Sequence, residues 1–294
     1  MTETKLVFAV VGGDRRQAHL AELLAEDGHT VYAYALEKQA FSNHVTKAYQ
    51  LQGLAERVDC VILPLPVSGE AGTLNAPFAL DTYNLDDIFN LFPTGQTVIA
   101  GKADHALFEK AGRNGVRLYD YLEREEFSVS NAIPSAEGAI QLAMQELPTT
   151  LHGRNVLVLG YGRIGKLLAK YLQVFGAKVT VTARKYSDLA WIDANGFSAL
   201  HTRDIAGKLA DFDLIFNTIP ALVLTENRLS ELKVGCLCID LASKPGGIDF
   251  TAAKKLGVRA IWELSIPGKV APVTAGETMK QTIYNIMEEW GCHA

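Results

Sequence analysis

Cysteine is scarce in this chain: 294 residues hold four, Cys60, Cys236, Cys238 and Cys292, too few and too scattered for a disulfide framework. A reducing compartment is the expectation. Cationic excess is also missing. Twenty-eight Lys and Arg stand against 33 Asp and Glu, a net charge of -5, which argues against a surface that neutralises many phosphates and so against a nucleic-acid partner. The first apolar run, Leu6-Val7-Phe8-Ala9-Val10-Val11, is far too short for a membrane span or a signal core, so a cytoplasmic chain with no membrane partner is expected. Internal repeats, low-complexity stretches and charge blocks are absent as well. What remains is ordinary globular composition, 48% hydrophobic and 21% charged, in a chain long enough for two buried cores.

Short runs rich in Val and Ile alternate with stretches of helical period along nearly the whole chain, which is the pattern of parallel sheets covered by helices on both faces. The fold class is α/β. The pattern places strands near residues 5–11, 30–35, 58–63, 97–100 and 116–119, with helices such as Arg15 to Glu26 and His105 to Asn114 between them. A second series follows near 155–159, 178–183, 213–217, 236–241 and 258–262. Between the two series, Pro134 to Leu147 reads as a largely buried crossover helix stopped by Pro148. The last segment, Thr274 to Trp290, opens with Thr274 and Glu277 in capping-box spacing and carries Met279, Ile283, Ile286, Met287 and Trp290 as an apolar stripe. A terminal helix returning to the first domain gives two connections between the lobes. The expectation is therefore two Rossmann-like, doubly wound parallel-sheet domains around a cleft. Residues 1–133 form a substrate or interaction domain completed by 274–294, residues 134–150 the crossover, and residues 151–273 the nucleotide-binding domain. Cys236 and Cys238 share one face of a strand; a metal site is conceivable there, but no further Cys or His stands at ligand spacing, and buried packing is preferred.

Residues 155–165 carry the strongest motif, Asn-Val-Leu-Val-Leu-Gly160-Tyr161-Gly162-Arg163-Ile164-Gly165. G-x-G-x-x-G alone is weak, but here it follows an apolar strand and opens a helix of regular period. Gly160 permits the tight turn, Gly162 lets backbone approach a pyrophosphate, and Gly165 lets helix and strand pack closely. The pyrophosphate then faces unpaired amides at the helix start. An NAD site commonly puts Asp or Glu about 20 residues beyond the motif to hold the ribose hydroxyls. This chain instead reads Thr182-Ala183-Arg184-Lys185, with no carboxylate until Asp188. A planar guanidinium and an ammonium suit a 2'-phosphate, so NADP is the expected cofactor. Two more loops follow strands and belong to the same cofactor site: Asn217-Thr218-Ile219-Pro220 and Asp240-Leu241-Ala242-Ser243.

Together Gly12-Gly13-Asp14-Arg15-Arg16-Gln17, Asn131 to Ala139, the Gly160 motif and Leu264 to Gly276 resemble the family of dipicolinate synthase A subunits over nearly the full chain. The resemblance implies an NADP-dependent oxidoreductase of spore-formers. Such an enzyme works with the flavoprotein-like B subunit of dipicolinate synthase and oxidises a dihydrodipicolinate-level precursor to pyridine-2,6-dicarboxylate. Assembly with further copies of itself is also expected. A substrate with two carboxylates needs cations or amide donors for each and a polar group for the ring proton. Arg15, Arg16, Ser68, Gly69 and Lys269 are candidate substrate contacts, and Asp14, Lys102 and Lys244 are candidate catalytic groups; solvated charge or ordinary turn chemistry is the competing reading of each. Two other readings stay open. A D-2-hydroxyacid dehydrogenase would need a late catalytic His, yet beyond residue 210 the only histidine is His293. His152, His201 and the remaining histidines are expected in surface or cap roles. A non-catalytic NADP-binding scaffold that docks or controls the flavin-type partner is the other reading.

Overall fold

The apolar runs become strands because each is buried on both faces by helices, so every second side chain feeds a different core. The computed structural model describes residues 5–69 and 72–290, and among them lie two six-stranded sheets. The first contains β1 (Val7–Val11), β2 (Thr30–Tyr34), β3 (Val45–Ala48), β4 (Cys60–Ile62), β5 (Thr97–Ala100) and β6 (Arg117–Asp120), in the order β3-β2-β1-β4-β5-β6. The second contains β7 (Asn155–Leu159), β8 (Lys178–Ala183), β9 (Ser198–His201), β10 (Leu214–Asn217), β11 (Leu237–Asp240) and β12 (Arg259–Trp262), in the order β12-β11-β10-β7-β8-β9. All strand pairs are parallel. In each sheet the chain winds outward from its first strand, returns, and winds outward on the other side. That is the doubly wound arrangement, and it leaves a switch point beside β1 and beside β7.

The helices are α1 (Arg15–Glu26), α2 (Leu85–Asn90), α3 (His105–Arg113), α4 (Glu125–Glu146), α5 (Arg163–Val174), α6 (Tyr186–Ala194), α7 (Glu226–Leu229), α8 (Phe250–Leu256), α9 (Ile266–Val270) and α10 (Pro272–Glu289). On β7, Val156 and Val158 join Leu168 and Leu172 of α5 in one core. Leu157 and Leu159 face the opposite core with Ile215, Leu224 and Cys238. Each such side chain, wholly removed from water, contributes about 1.5 to 3 kcal/mol before the cost of ordering it. Cys236 and Cys238 are both buried in that second core, where the bond with Cys236 and burial push the Cys238 thiol up.

The chain divides into two compact units, Met1–Asn131 with Ala271–Ala294, and Ala132–Val270. The terminal helix α10 belongs to the first of them. Its Met279, Ile283, Ile286 and Met287 pack with Leu20, Ala21 and Leu24 of α1, and Gly276 lies so close to α1 that a Cβ there would sit 3.2 Å from the Arg16 carbonyl.

Four elements differ from the sequence pattern. β3 and β9, unexpected from the sequence, are four-residue edge strands with Thr46, Lys47, Ser198 and His201 among their residues. Neither carries an apolar run, because an edge strand is covered less than a central one. The crossover helix begins nine residues before Pro134, at Glu125, and runs through the proline to Glu146. Burial of Ala132, Ala136, Ala139, Ile140 and Ala143 outweighs the one amide that proline cannot donate. The terminal helix starts at Pro272 with Ala271 as an N-cap that offers no side-chain bond, so the Thr274/Glu277 capping box does not form. Proline at the first helical position removes an orphan N–H and presets φ.

Candidate functional site

The glycine motif takes the geometry its spacing demands. Gly160 turns the chain out of β7 with φ +101°, and its N–H donates to the Thr182 hydroxyl on the neighbouring strand at 3.2 Å. Gly165 is pressed against that turn: a Cβ there would stand 2.2 Å from the Gly160 carbonyl oxygen. Gly162 is the N-cap of α5 and differs from both, since a Cβ built on it meets nothing within 4 Å. Open space therefore lies over Gly162, at the amide-rich end of a helix. This fits a dinucleotide pyrophosphate. Arg163 is exposed at the helix start and Ile164 packs on the core. The Tyr161 ring lies 5.4 Å from the Lys166 ammonium, and its phenol accepts a bond from the Asn195 amide; burial and the Asp188 charge push that phenol up.

At the carboxyl end of β8, Thr182 and Ala183 are buried whereas Arg184 and Lys185 are exposed, with Lys185 at the N-cap of α6. The first acid, Asp188, stands in the first turn of α6 and not at the strand end.

The next two loops are fastened to one another. Asn217 and Asp240, both fully buried, are bonded through the Asn217 amide at 2.7 Å. Asp240 also accepts the N–H groups of Ala242 and Gly247, and Asn217 bonds both polar groups of the Ile219 backbone. The sequence pattern makes these two side chains cofactor contacts; the structure commits their polar atoms to holding the loops. Gly247 completes the arrangement, since a Cβ there would be 2.2 Å from the Asn217 amide nitrogen. Thr218 similarly donates to the Leu159 carbonyl. Leu241 and Ala242 are buried, and Trp262 donates to the Ala242 carbonyl. Pro220, Ser243 and Lys244 are exposed at the tips of these loops, beside the switch point at β7.

In the other unit, the loops after β1, β4 and β5 meet at the carboxyl edge of their own sheet. Val67 donates to Gly101, Gly101 to Pro64, and Gly13 to Asn75. Asp14 caps α1 through the Arg16 N–H and also accepts the Arg16 Nε and Nη2. Arg16 is 4% exposed, and its Nη2 donates further to the Leu65 carbonyl at 2.6 Å. The sequence pattern makes Asp14 a catalytic candidate and Arg16 a substrate contact; in the structure the two groups neutralise each other and build the loop. Gly69 likewise uses its N–H inside the turn, on the Thr73 carbonyl, leaving Ser68 half-buried in a bridge to Leu74. Arg15 is exposed at the start of α1, one residue from that pair, with no partner among the described residues.

Lys102 is held in the left-handed region at φ +60° because the Asp120 carboxylate accepts both its N–H and that of Ala103. A non-glycine residue kept there is strained, and such strain concentrates at functional sites. Lys269, a candidate substrate contact, is exposed and paired with Glu263. His201 caps a short helical turn by accepting the Arg203 N–H, the cap role expected of it. His293 lies outside the described residues.

Comparison with known proteins follows this division of the chain. Residues 7–122 match the family model for the N-terminal domain of the dipicolinate synthase A subunit. Residues 127–240 match the model described as D-isomer specific 2-hydroxyacid dehydrogenase, NAD binding domain. The dipicolinate synthase A subunit of Bacillus subtilis is 32% identical over 289 residues, 97% of either chain. The crystal structure of the dipicolinate synthase A subunit from Bacillus halodurans superposes with TM-score 0.90 at 34% identity, covering 98% of this chain and 99% of that one. A transhydrogenase from Sinorhizobium meliloti shares the fold at TM-score 0.71 and 17% identity, covering 97% of this chain and 94% of the other. With a dinucleotide-binding domain of the dehydrogenase type and this similarity along its whole length, the chain belongs to the family of dipicolinate synthase A subunits.

Proposed function

We propose that this chain oxidises a dihydrodipicolinate-level precursor to pyridine-2,6-dicarboxylate with NADP, in the cytoplasm of a spore-forming cell, together with the flavoprotein-like B subunit of dipicolinate synthase and in an assembly of several copies. The observation that carries the reading is the pairing of an open, unobstructed Gly162 with Arg184 and Lys185 at the end of β8, in a chain of this family. Aromatising the dihydropyridine removes one hydride and one proton; the nicotinamide ring, when bound, takes the hydride.

The chain's own residues divide the remaining work. Backbone amides at the start of α5 hold the pyrophosphate, and Arg184 and Lys185 hold the 2'-phosphate. Asn217 and Asp240 fix the loops that carry Ile219, Pro220 and Ser243. Arg15 and the Ser68 hydroxyl receive one substrate carboxylate, with Asp14 and Arg16 as positioning groups. Lys102, in its constrained backbone, receives the other or takes the ring proton. Lys244, in an exposed turn, is the second candidate for that proton.

The test is a two-part titration. NADPH and NADH are added to the purified chain and to Arg184→Ala, and binding is followed by nicotinamide fluorescence. Loss of one charge-assisted bond, about 1.5 to 3 kcal/mol, should fall on NADPH and spare NADH. Equal losses refute the NADP assignment. Dipicolinate formation is then measured with and without the B subunit; product at full rate from the B subunit alone would remove the catalytic role.

A D-2-hydroxyacid dehydrogenase activity is disfavoured although its nucleotide-binding domain matches. The match ends at residue 240, and no histidine follows His201 except His293.

A further inference from the structure

The edge strand β9 brings a second guanidinium to the corner where the sequence pattern showed only one. β8 and β9 pair with Ala183 opposite His201, so the turns that follow them, Arg184-Lys185 and Thr202-Arg203, leave the sheet side by side. Tyr186 joins the two turns. Its hydroxyl accepts a bond from Arg203 Nη2 at 3.2 Å, and its ring stands 5.8 Å from that of His201. Asp204 lies 3.5 Å from Arg203 Nε. The guanidinium is thus oriented by a phenol and a loosely placed carboxylate while two-thirds of its side chain stays exposed (67%). The two neighbouring turns thus carry three cations, Arg184, Lys185 and Arg203.

A ribose 2'-phosphate carries close to two negative charges and three terminal oxygens. One turn approaches it from one side only. Guanidinium forks suit such a group better than ammonium point charges do. We propose that Arg203, positioned by Tyr186, is a second ligand of the NADP 2'-phosphate, so that the choice of cofactor is made jointly by the turns after β8 and β9. This rests on the NADP reading above and extends it to residues from a strand that the sequence does not announce.

The test uses the full chain and two probes without a nicotinamide ring, adenosine 2',5'-bisphosphate and AMP, titrated by calorimetry. Arg203→Ala should weaken the bisphosphate by about tenfold or more and leave AMP within about twofold, tenfold being 1.4 kcal/mol. Arg203→Gln, which keeps a polar side chain, should give the same split and guards against a folding defect in the alanine variant.

Tyr186→Phe should lose part of the bisphosphate affinity, and adding it to Arg203→Ala should cost nothing more, because a positioning residue acts only through the group it positions. If Arg203→Ala and Arg203→Gln leave the bisphosphate unchanged while Arg184→Ala weakens it, the inference about Arg203 is overturned and the NADP reading stands. If the unmodified chain binds the bisphosphate no better than AMP, the NADP reading falls and the inference with it.

Discussion

Replacing Gly162 with serine should separate cofactor binding from folding. The backbone there is extended, with φ -82° and ψ -164°, which suits any residue, and a Cβ meets nothing within 4 Å. Serine is moreover a better N-cap than glycine by a few tenths of a kcal/mol. The variant should therefore unfold within about 1 °C of the parent or slightly above it. The same hydroxymethyl group stands where backbone must meet pyrophosphate. Losing two charge-assisted amide bonds at about 1.5 to 3 kcal/mol each predicts at least a hundredfold weaker binding of both NADPH and NADH.

Gly165→Ala is the counter-example on the same turn. Its Cβ would fall 2.2 Å from the Gly160 carbonyl oxygen, so helix and strand must separate. Overpacking of this kind costs about 1 to 3 kcal/mol, and the variant should melt earlier. Paired thermal scans and fluorescence titrations decide the matter. A Gly162→Ser chain that binds either cofactor normally would refute the placement of the pyrophosphate.

Other outcomes follow from the same geometry. Asp240→Asn puts an amide where the Asn217 amide, Ala242 N–H and Gly247 N–H all point inward; at least one donor is orphaned in a fully buried site, for about 1 to 3 kcal/mol of stability measured by denaturant unfolding. No change in the midpoint would mean the loops are held by something else. Arg16→Ala should destabilise its unit by about 2 to 4 kcal/mol through the abandoned Asp14 carboxylate, whereas Arg15→Ala should leave unfolding unchanged and weaken dipicolinate binding in calorimetry. The reverse pattern would exchange their roles.

Asp27 at the end of α1 has its charged form opposed by burial, but bonds from Lys280 and Tyr284 of α10 outweigh this and hold its carboxyl below the usual 3.8. A depressed folded value means the contribution is complete above the unfolded pKa and is lost as the pH falls through the folded one. Asp27→Asn should thus flatten the stability profile below about pH 4. An unchanged acid limb in pH-dependent unfolding would show that the contact contributes nothing.

Much of the fold was legible because central strands of a doubly wound sheet must be apolar on both faces. β5, β7 and β8 coincide with their runs in the sequence, and α1 runs from Arg15 to Glu26 as its period requires. The elements that escaped are those whose stability comes from neighbours. β3 and β9 gain their hydrogen bonds from an adjacent strand and carry polar residues, and α4 passes through Pro134 because its flanks are buried. In the site, Gly160 makes the turn and Gly165 the close packing that their spacing indicates, since each is a local backbone requirement. Asn217, Asp240, Asp14 and Arg16 stand out in the sequence as polar residues after strands, but that they bond one another and the loops around them is a matter of tertiary contact.

The sequence by itself settled what depends on neighbours along the chain: hydrophobic period, glycine spacing before a helix, and the basic residues in place of an acid after β8. Tertiary structure alone decided which charges remain available. Burial turned Arg16 and Asp240 into fasteners, and strand pairing set the turn of Arg203 beside that of Arg184, because a side chain's partner is fixed by distance in space and not by separation in sequence.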